Sequence, residues 1–169
     1  MKELEGQLTF FMLDVMPEMK KPVRKKKSRL ESFVHEYHGY GIADAGSVTS
    51  QDFKTFAKRL KRVIAEMCEQ IGAEIVSYDI GHYHISLFLQ RGSAYMYLSY
   101  NVPRGNYPLD LHASGTNGFL YRLVKNEKDY KGCGNHFCSL LHLKKCASGL
   151  FEQKEKEERR NEVLSLRVS

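Results

Sequence analysis

The chain has 169 residues, of which 42% are hydrophobic and 27% charged, and this composition is typical of a water-soluble protein with one domain of ordinary size. The net charge is +6, and no apolar stretch reaches the roughly 20 residues that a membrane-spanning helix needs. Composition therefore argues against a membrane protein and predicts a cytoplasmic one. The four cysteines do not form a secreted disulfide framework, and we interpret them as reduced thiols or metal ligands.

The positive charge is concentrated in residues 20–29, where seven of ten residues are basic and none is acidic. The rest of the chain has 19 basic residues (26 − 7) against 20 acidic ones, a net charge of −1. Such a run cannot be buried and is typical of a segment that meets a polyanion, either nucleic acid or an acidic protein. The predicted nucleic-acid-binding residues of this run are Lys20, Lys21, Arg24, Lys25, Lys26, Lys27 and Arg29.

Residues 1–49 are predicted to form an N-terminal arm with one apolar anchor, because prolines and like charges both oppose compact structure. Within this arm, residues 8–27 (LTFFMLDVMPEMKKPVRKKK) resemble the opening of small accessory proteins carried by integrative and conjugative elements of Gram-positive bacteria. The resemblance implies a role against host defence. An anti-CRISPR inhibitor, which engages the guide RNA or the protein of an RNA-guided nuclease, fits that role.

A long amphipathic helix is predicted to begin at residue 50 and to end before Gly72. Its apolar residues recur at spacings of three and four, Thr49 or Ser50 is suited to the N-cap, and Gly72 to the C′ position. Basic residues form a stripe on the opposite side of this helix, which is typical either of a solvated surface or of a phosphate-binding one. The stripe adds four candidate nucleic-acid-binding residues, Lys54, Lys58, Lys61 and Arg62.

After Gly72 the hydrophobic period changes from 3.6 to 2, which predicts strands over residues 74–80, 83–90 and 94–100, and a fourth over residues 119–124. A short helix from residue 139 to about 147 and a charged helical tail over residues 151–169 complete the chain. The predicted fold is therefore α+β, with an antiparallel sheet of about four strands and the long helix packed on one face. The globular domain is predicted to span residues 50–150.

His82 and His84 lie two residues apart on a predicted strand, so they share a face and can share one divalent metal ion. The segment GHYHISLFL resembles the His-hydrophobe-His strand of rolling-circle replication proteins and conjugative relaxases, which cleave single-stranded DNA with a tyrosine nucleophile. The resemblance implies a nuclease dependent on Mg²⁺ or Mn²⁺, with candidate catalytic residues His82, His84 and Tyr95. The alternative is a pair of histidines on a polar sheet face.

A second cluster has the spacing Cys-x4-Cys-x3-His-x3-Cys, which could close tetrahedrally on zinc. Its candidate ligands are Cys133, Cys138, His142 and Cys146. Cysteine is equally typical of a small core residue, so the same spacing also fits a site without metal. With zinc bound, the chain would be an adaptor that binds another protein through its apolar leader.

Tyr83, Tyr95 and Tyr97 lie on predicted strands, where tyrosine rings can stack on bases, and Arg91 and Arg104 lie in adjacent loops. The element order also has a faint similarity to that of a double-stranded RNA-binding domain. Together with the basic segments, these residues favour a non-catalytic protein that requires no cofactor and binds nucleic acid, RNA in particular, or an RNA-guided nuclease. The metal-dependent nuclease and the zinc adaptor are the alternatives.

Overall fold

The computed structural model describes residues 27–45, 47, 49–81, 83–105, 107–131 and 134–168. In chain order these residues form α1 (Arg29–Tyr37), α2 (Gln51–Gln70), β1 (Glu74–Ile80), β2 (His84–Arg91), β3 (Ala94–Asn101), β4 (Phe119–Val124), β5 (His136–Cys138) and α3 (Leu143–Val168). The predicted α+β class is confirmed, and the sheet has five strands. Among the described helices, none has the length and apolar character needed to cross a membrane.

The sheet is an antiparallel meander in which each strand pairs with the next along the chain, in the order β1-β2-β3-β4-β5. A two-residue turn at Gly92 and Ser93 joins β2 to β3, and Gly92 adopts a φ of +57°, which glycine tolerates without strain. Strand β5 has three residues and pairs only with β4. Both β1 and β5 are therefore edge strands of the described sheet.

One face of the sheet, which we call the core face, packs against the helices. It carries Ile85, Leu87 and Leu89 of β2, which belong to one buried cluster together with the apolar residues of α2. The Tyr78 hydroxyl donates a 2.6 Å hydrogen bond to the Ala57 carbonyl and so fixes α2 over β1. Helix α2 begins at the predicted Ser50 cap and ends before Gly72, as predicted.

Helix α1 lies within the predicted N-terminal arm but packs as part of the folded body. Its Phe33, Val34 and Tyr37 are buried in the same cluster as α2. The helix begins with a capping box, in which Ser28 accepts from the Glu31 backbone and Glu31 accepts from the Ser28 backbone. The arm, as far as the structure describes it, is therefore partly core, while residues 1–26 lie outside the described residues.

Helix α3 unites the predicted short helix and the predicted charged tail in one continuous 26-residue helix. Its first turns are buried through Leu143, Ala147 and Phe151, and its last turns are exposed. Arg91, at the end of β2, forms a paired contact with Glu155, with a 2.9 Å distance between Nε and Oε1. This pair holds α3 against the turn between β2 and β3.

Candidate nucleic-acid interface

The basic stripe of α2 lies on the surface, as its helical spacing predicts. Lys54, Lys58 and Arg62 are exposed, and none of them forms an ion pair within the part of the chain that the structure describes. Lys61 differs, since its ammonium group lies 5.1 Å from the centre of the Tyr78 ring. The stripe therefore leaves three cations free to meet an external anion.

A groove of about 420 Å³ between α1 and α2 continues this basic surface. Three arginines line it: Arg29, which lies 3.3 Å from Glu66; Arg59, which forms two hydrogen bonds with Glu36; and Arg62. The bonds to Glu36 raise the pKa of Arg59. Three arginines and two glutamates leave the groove with a net charge of +1, so it extends the positive surface of the stripe.

The remaining predicted cations are arranged differently. Lys27 is exposed at the start of α1, Arg91 is occupied by Glu155, and the Arg104 guanidinium lies 5.0 Å from the centre of the Tyr83 ring. Five cations of the basic run lie outside the described residues, and they are Lys20, Lys21, Arg24, Lys25 and Lys26. The described basic surface therefore consists mainly of α2 and the groove beside it.

The second face of the sheet, which we call the open face, carries an aromatic cluster that the sequence did not reveal. Strand alternation places Phe88 and Tyr97 opposite each other on this face, and their ring centroids lie 5.2 Å apart. Phe88 has no exposed surface, yet it does not belong to the main core. Tyr130, in the loop after β4, covers it with an edge-on contact at 5.1 Å.

Arg122 is buried beside this cluster, with 8% of its surface exposed. Its Nη1 donates to the Asn135 side chain at 2.8 Å, its Nη2 donates to the Tyr130 carbonyl at 2.5 Å, and its guanidinium lies 4.9 Å from the centre of the Tyr97 ring. Within the described residues, its Nε has no hydrogen-bond partner and no carboxylate forms an ion pair with it. The open face thus contains a buried cation that has no countercharge in the part of the chain that the structure describes.

The predicted catalytic residues are not brought together where the structure describes them. His84 pairs with Asn101 at one end of the β2–β3 hairpin, and Tyr95 pairs with Gln90 at the other end. Six residues of extended strand separate the two positions by roughly 20 Å. His82 lies outside the described residues, so the proposed histidine pair stays a prediction.

Two of the four predicted zinc ligands lie near each other. Burial, with the neighbouring Cys146 thiol as a smaller cause, raises the pKa of both Cys138 and Tyr121. His142 bonds instead to the Ser139 hydroxyl at 2.9 Å. Cys133 lies outside the described residues, among which no group of three or more His, Cys, Asp or Glu side chains is arranged to hold a metal ion.

Sequence reasoning missed Arg122 and Tyr130 because their meeting depends on how the loop after β4 folds back over the sheet. The one available signal was the position of Arg122 in β4, where it breaks an otherwise apolar strand, FLYRLV. Comparison of the chain with protein-family models, with curated proteins and with solved structures gives no significant match.

Proposed function

We propose that the protein binds nucleic acid, with RNA as the favoured ligand, through α2 and the groove between α1 and α2. The observation that carries this proposal is the set of three exposed cations that form no ion pair with any described residue, Lys54, Lys58 and Arg62. They lie four residues apart, about 6 Å along the helix axis per step. Like charges at this spacing destabilise a helix by a few tenths of a kcal/mol per pair, and a bound polyanion relieves that repulsion.

The arginines of the groove suit phosphate oxygens because a guanidinium group presents a planar fork of donors. Glu36 and Glu66 hold Arg59 and Arg29 in place on the surface. Binding would release counterions from the nucleic acid, so affinity would fall steeply as the salt concentration rises.

The biological role that we propose is inhibition of an RNA-guided nuclease. The nucleic-acid channel of such a nuclease is itself positive, so a cationic inhibitor is better suited to the guide RNA than to the empty channel. Support for the mobile-element origin comes from the resemblance of residues 8–27. A pull-down from a bacterial lysate, scored for guide RNA and nuclease together, tests this role: recovery of neither would contradict it.

The binding proposal is tested with a triple variant, Lys54→Gln, Lys58→Gln and Arg62→Gln, and fluorescence anisotropy on a labelled RNA. Each phosphate contact contributes about 0.7 to the slope of log K against log salt for a single strand, so the variant should lose about 2 units of slope. Between 50 and 200 mM salt, wild-type protein would then lose about 20-fold more affinity than the variant does.

The matched control removes three charges from the exposed part of α3, through Lys156→Gln, Arg159→Gln and Arg160→Gln. The two triple variants carry the same net charge, so only the position of the lost cations differs. Equal slopes for the stripe variant and the control variant would refute the assignment to α2. An affinity that does not respond to salt would refute nucleic-acid binding as proposed.

The proximity of Cys138 and Cys146 favours a second proposal, a zinc-stabilised adaptor that binds another protein. Elemental analysis of protein purified without chelator tests it directly. About one zinc per chain, lost with the double variant Cys138→Ser and Cys146→Ser, is the expected result. Absence of stoichiometric zinc would remove this proposal and leave the first intact.

A further inference from the structure

The loop that follows β4 presents a fixed aromatic side chain on the open face. The Asp129 carboxylate accepts hydrogen bonds from the backbone N–H groups of Lys125 and Lys131, both at 3.1 Å. The Asn126 side chain accepts from the Lys128 backbone at 3.0 Å. The loop is therefore held in one conformation by its own polar groups, with Tyr130 near its end.

The Tyr130 ring is held on one side and open on the other. It makes edge-on contacts with Phe88 and Tyr97, at centroid distances of 5.1 and 5.8 Å, and Arg122 binds its carbonyl. Yet 54% of the residue is exposed. A ring already fixed before binding loses little conformational entropy when a ligand stacks on it.

The charges around Tyr130 are those of a surface for a polyanion. Lys125, Lys128 and Lys131 are exposed around it, and the carboxylate of Asp129 is occupied by the loop backbone. Together with Arg122, the four cations exceed the two acids of the loop by two charges. Lysine is depleted in protein–protein interfaces, so this setting favours nucleic acid over a protein partner.

Serine side chains lie next to the aromatic cluster on the open face. Ser86 and Ser99 lie directly opposite each other in β2 and β3, and strand pairing places Ser77 opposite Phe88. The Ser77 hydroxyl is buried and has no hydrogen-bond partner among the residues that the structure describes. Ser86 is only 3% exposed, whereas Ser99 is half-buried, so Ser99 is the hydroxyl of this set that suits the 2′-hydroxyl or a base edge of RNA.

We infer that the open face is a second contact surface for single-stranded RNA, on which an unpaired base stacks against Tyr130 and the neighbouring phosphates lie against the loop lysines. This inference rests on the proposed function and specifies the form of the nucleic acid. Bases in a duplex are already stacked and paired, so they have no free face for the tyrosine ring. The protein should therefore discriminate between single strands and duplexes through this surface.

The experiment measures the anisotropy of a labelled oligouridine of about 20 nucleotides, longer than the site of one small binding domain, with Tyr130→Ala and Tyr130→Leu proteins. Loss of one stacked base weakens binding by about 5- to 150-fold. Tyr130→Leu keeps an apolar side chain on Phe88 but has no π face, so it should lose affinity as well. Tyr107→Ala is the matched control, since Tyr107 is 73% exposed and lies in a different loop.

The outcomes separate this inference from the proposed function. If both Tyr130 variants bind oligouridine as wild type does, while the α2 triple variant has lost about 2 units of salt slope, the open-face surface is refuted and the α2 interface stands. If wild-type protein binds no RNA, the proposed function fails as well. Duplex RNA of the same length should show less than a twofold response to Tyr130→Ala, and an equal loss on duplex would overturn the assignment to unpaired bases.

Discussion

Replacement of Phe88 by alanine tests whether the open face holds a packed cluster of its own. Phe88 is fully buried by Tyr97 and Tyr130, and it lies outside the main core. Removal of a buried phenylalanine costs about 3–5 kcal/mol of unfolding free energy. The cover here is a single loop that can settle into the vacated space, so we expect about 3 kcal/mol, the lower end of that range.

The assay is urea unfolding followed by circular dichroism. With an m value of about 2 kcal/mol/M, a loss of 3 kcal/mol lowers the urea midpoint by about 1.5 M. The m value itself should not change, because the same surface is exposed on unfolding. The control is Tyr107→Ala, which removes an exposed ring and should change the unfolding free energy by less than about 0.5 kcal/mol.

A cost below about 1 kcal/mol for Phe88→Ala, with an unchanged m value, would refute this reasoning. It would mean that Tyr130 does not cover Phe88 in solution and that the ring is solvated. The inference about single-stranded RNA would then lose its structural basis, since it depends on a Tyr130 ring held in place by Phe88 and Tyr97.

Three further predictions concern the helices. Ser28→Ala should lower the unfolding free energy by about 1 kcal/mol by removing the N-cap of α1. The hydrogen bonds between Ser28 and Glu31 also lower the pKa of Glu31. The stabilisation from these bonds is therefore present at neutral pH and is lost as the pH falls through that lowered pKa. Cys68, whose pKa burial raises to about 12, should react with a thiol reagent at pH 8 only after urea unfolding, and rapid labelling of native protein would contradict its burial. Arg91→Met should lower the unfolding free energy, measured with urea, by about 1 kcal/mol because it breaks the contact with Glu155. The salt slope for RNA binding should not change. A reduced slope would show that Arg91 contacts the RNA.

The elements that the sequence predicted well are those with a long, regular pattern. Helix α2 repeats its apolar spacing over 20 residues between a serine cap and a glycine, and the structure places its ends at those signals. The bounds of strands β1 to β4 lie within one residue of the predicted ones, and β3 shows the alternation of buried and half-buried residues most clearly. Strand β5 has only three residues, too few to display any period, and it exists because β4 offers it an edge.

Helices α1 and α3 show how charge can obscure a pattern. The nine residues of α1 directly follow the basic run, and the apolar positions Phe33, Val34 and Tyr37 are too few to outweigh it in a reading by composition. In α3, Gly149 and the dense charges after Phe151 indicate a break that does not occur. The helix continues past Gly149 because Ala147 and Phe151 are buried in the core, and this burial outweighs the low helix propensity of glycine.

Half of the candidate interface was predictable for a related reason. The stripe of α2 is local, since helix geometry alone brings Lys54, Lys58 and Arg62 to one side. The cluster of the open face is not local, since Arg122 reaches Tyr130 and Asn135 only when the loop folds back. The spacing of residues in the sequence contains no signal that this loop packs back against the sheet.

Four partnered arginines of the described residues form two physical classes, and the difference indicates where a ligand would gain most. Arg29, Arg59 and Arg91 are compensated by glutamates of the same chain, so an external anion must compete with those carboxylates. Among the described residues, Arg122 is compensated only by neutral acceptors. Its two charge-assisted hydrogen bonds are worth about 1.5–3 kcal/mol each, against a desolvation penalty of several kcal/mol for a buried ion. The two terms nearly cancel, so Arg122 adds little net stability to the free protein. An anion that approaches the Tyr130 loop therefore adds attraction that no carboxylate of the described chain supplies, which is why the open face, and not the most basic segment, is the better place to look for specificity.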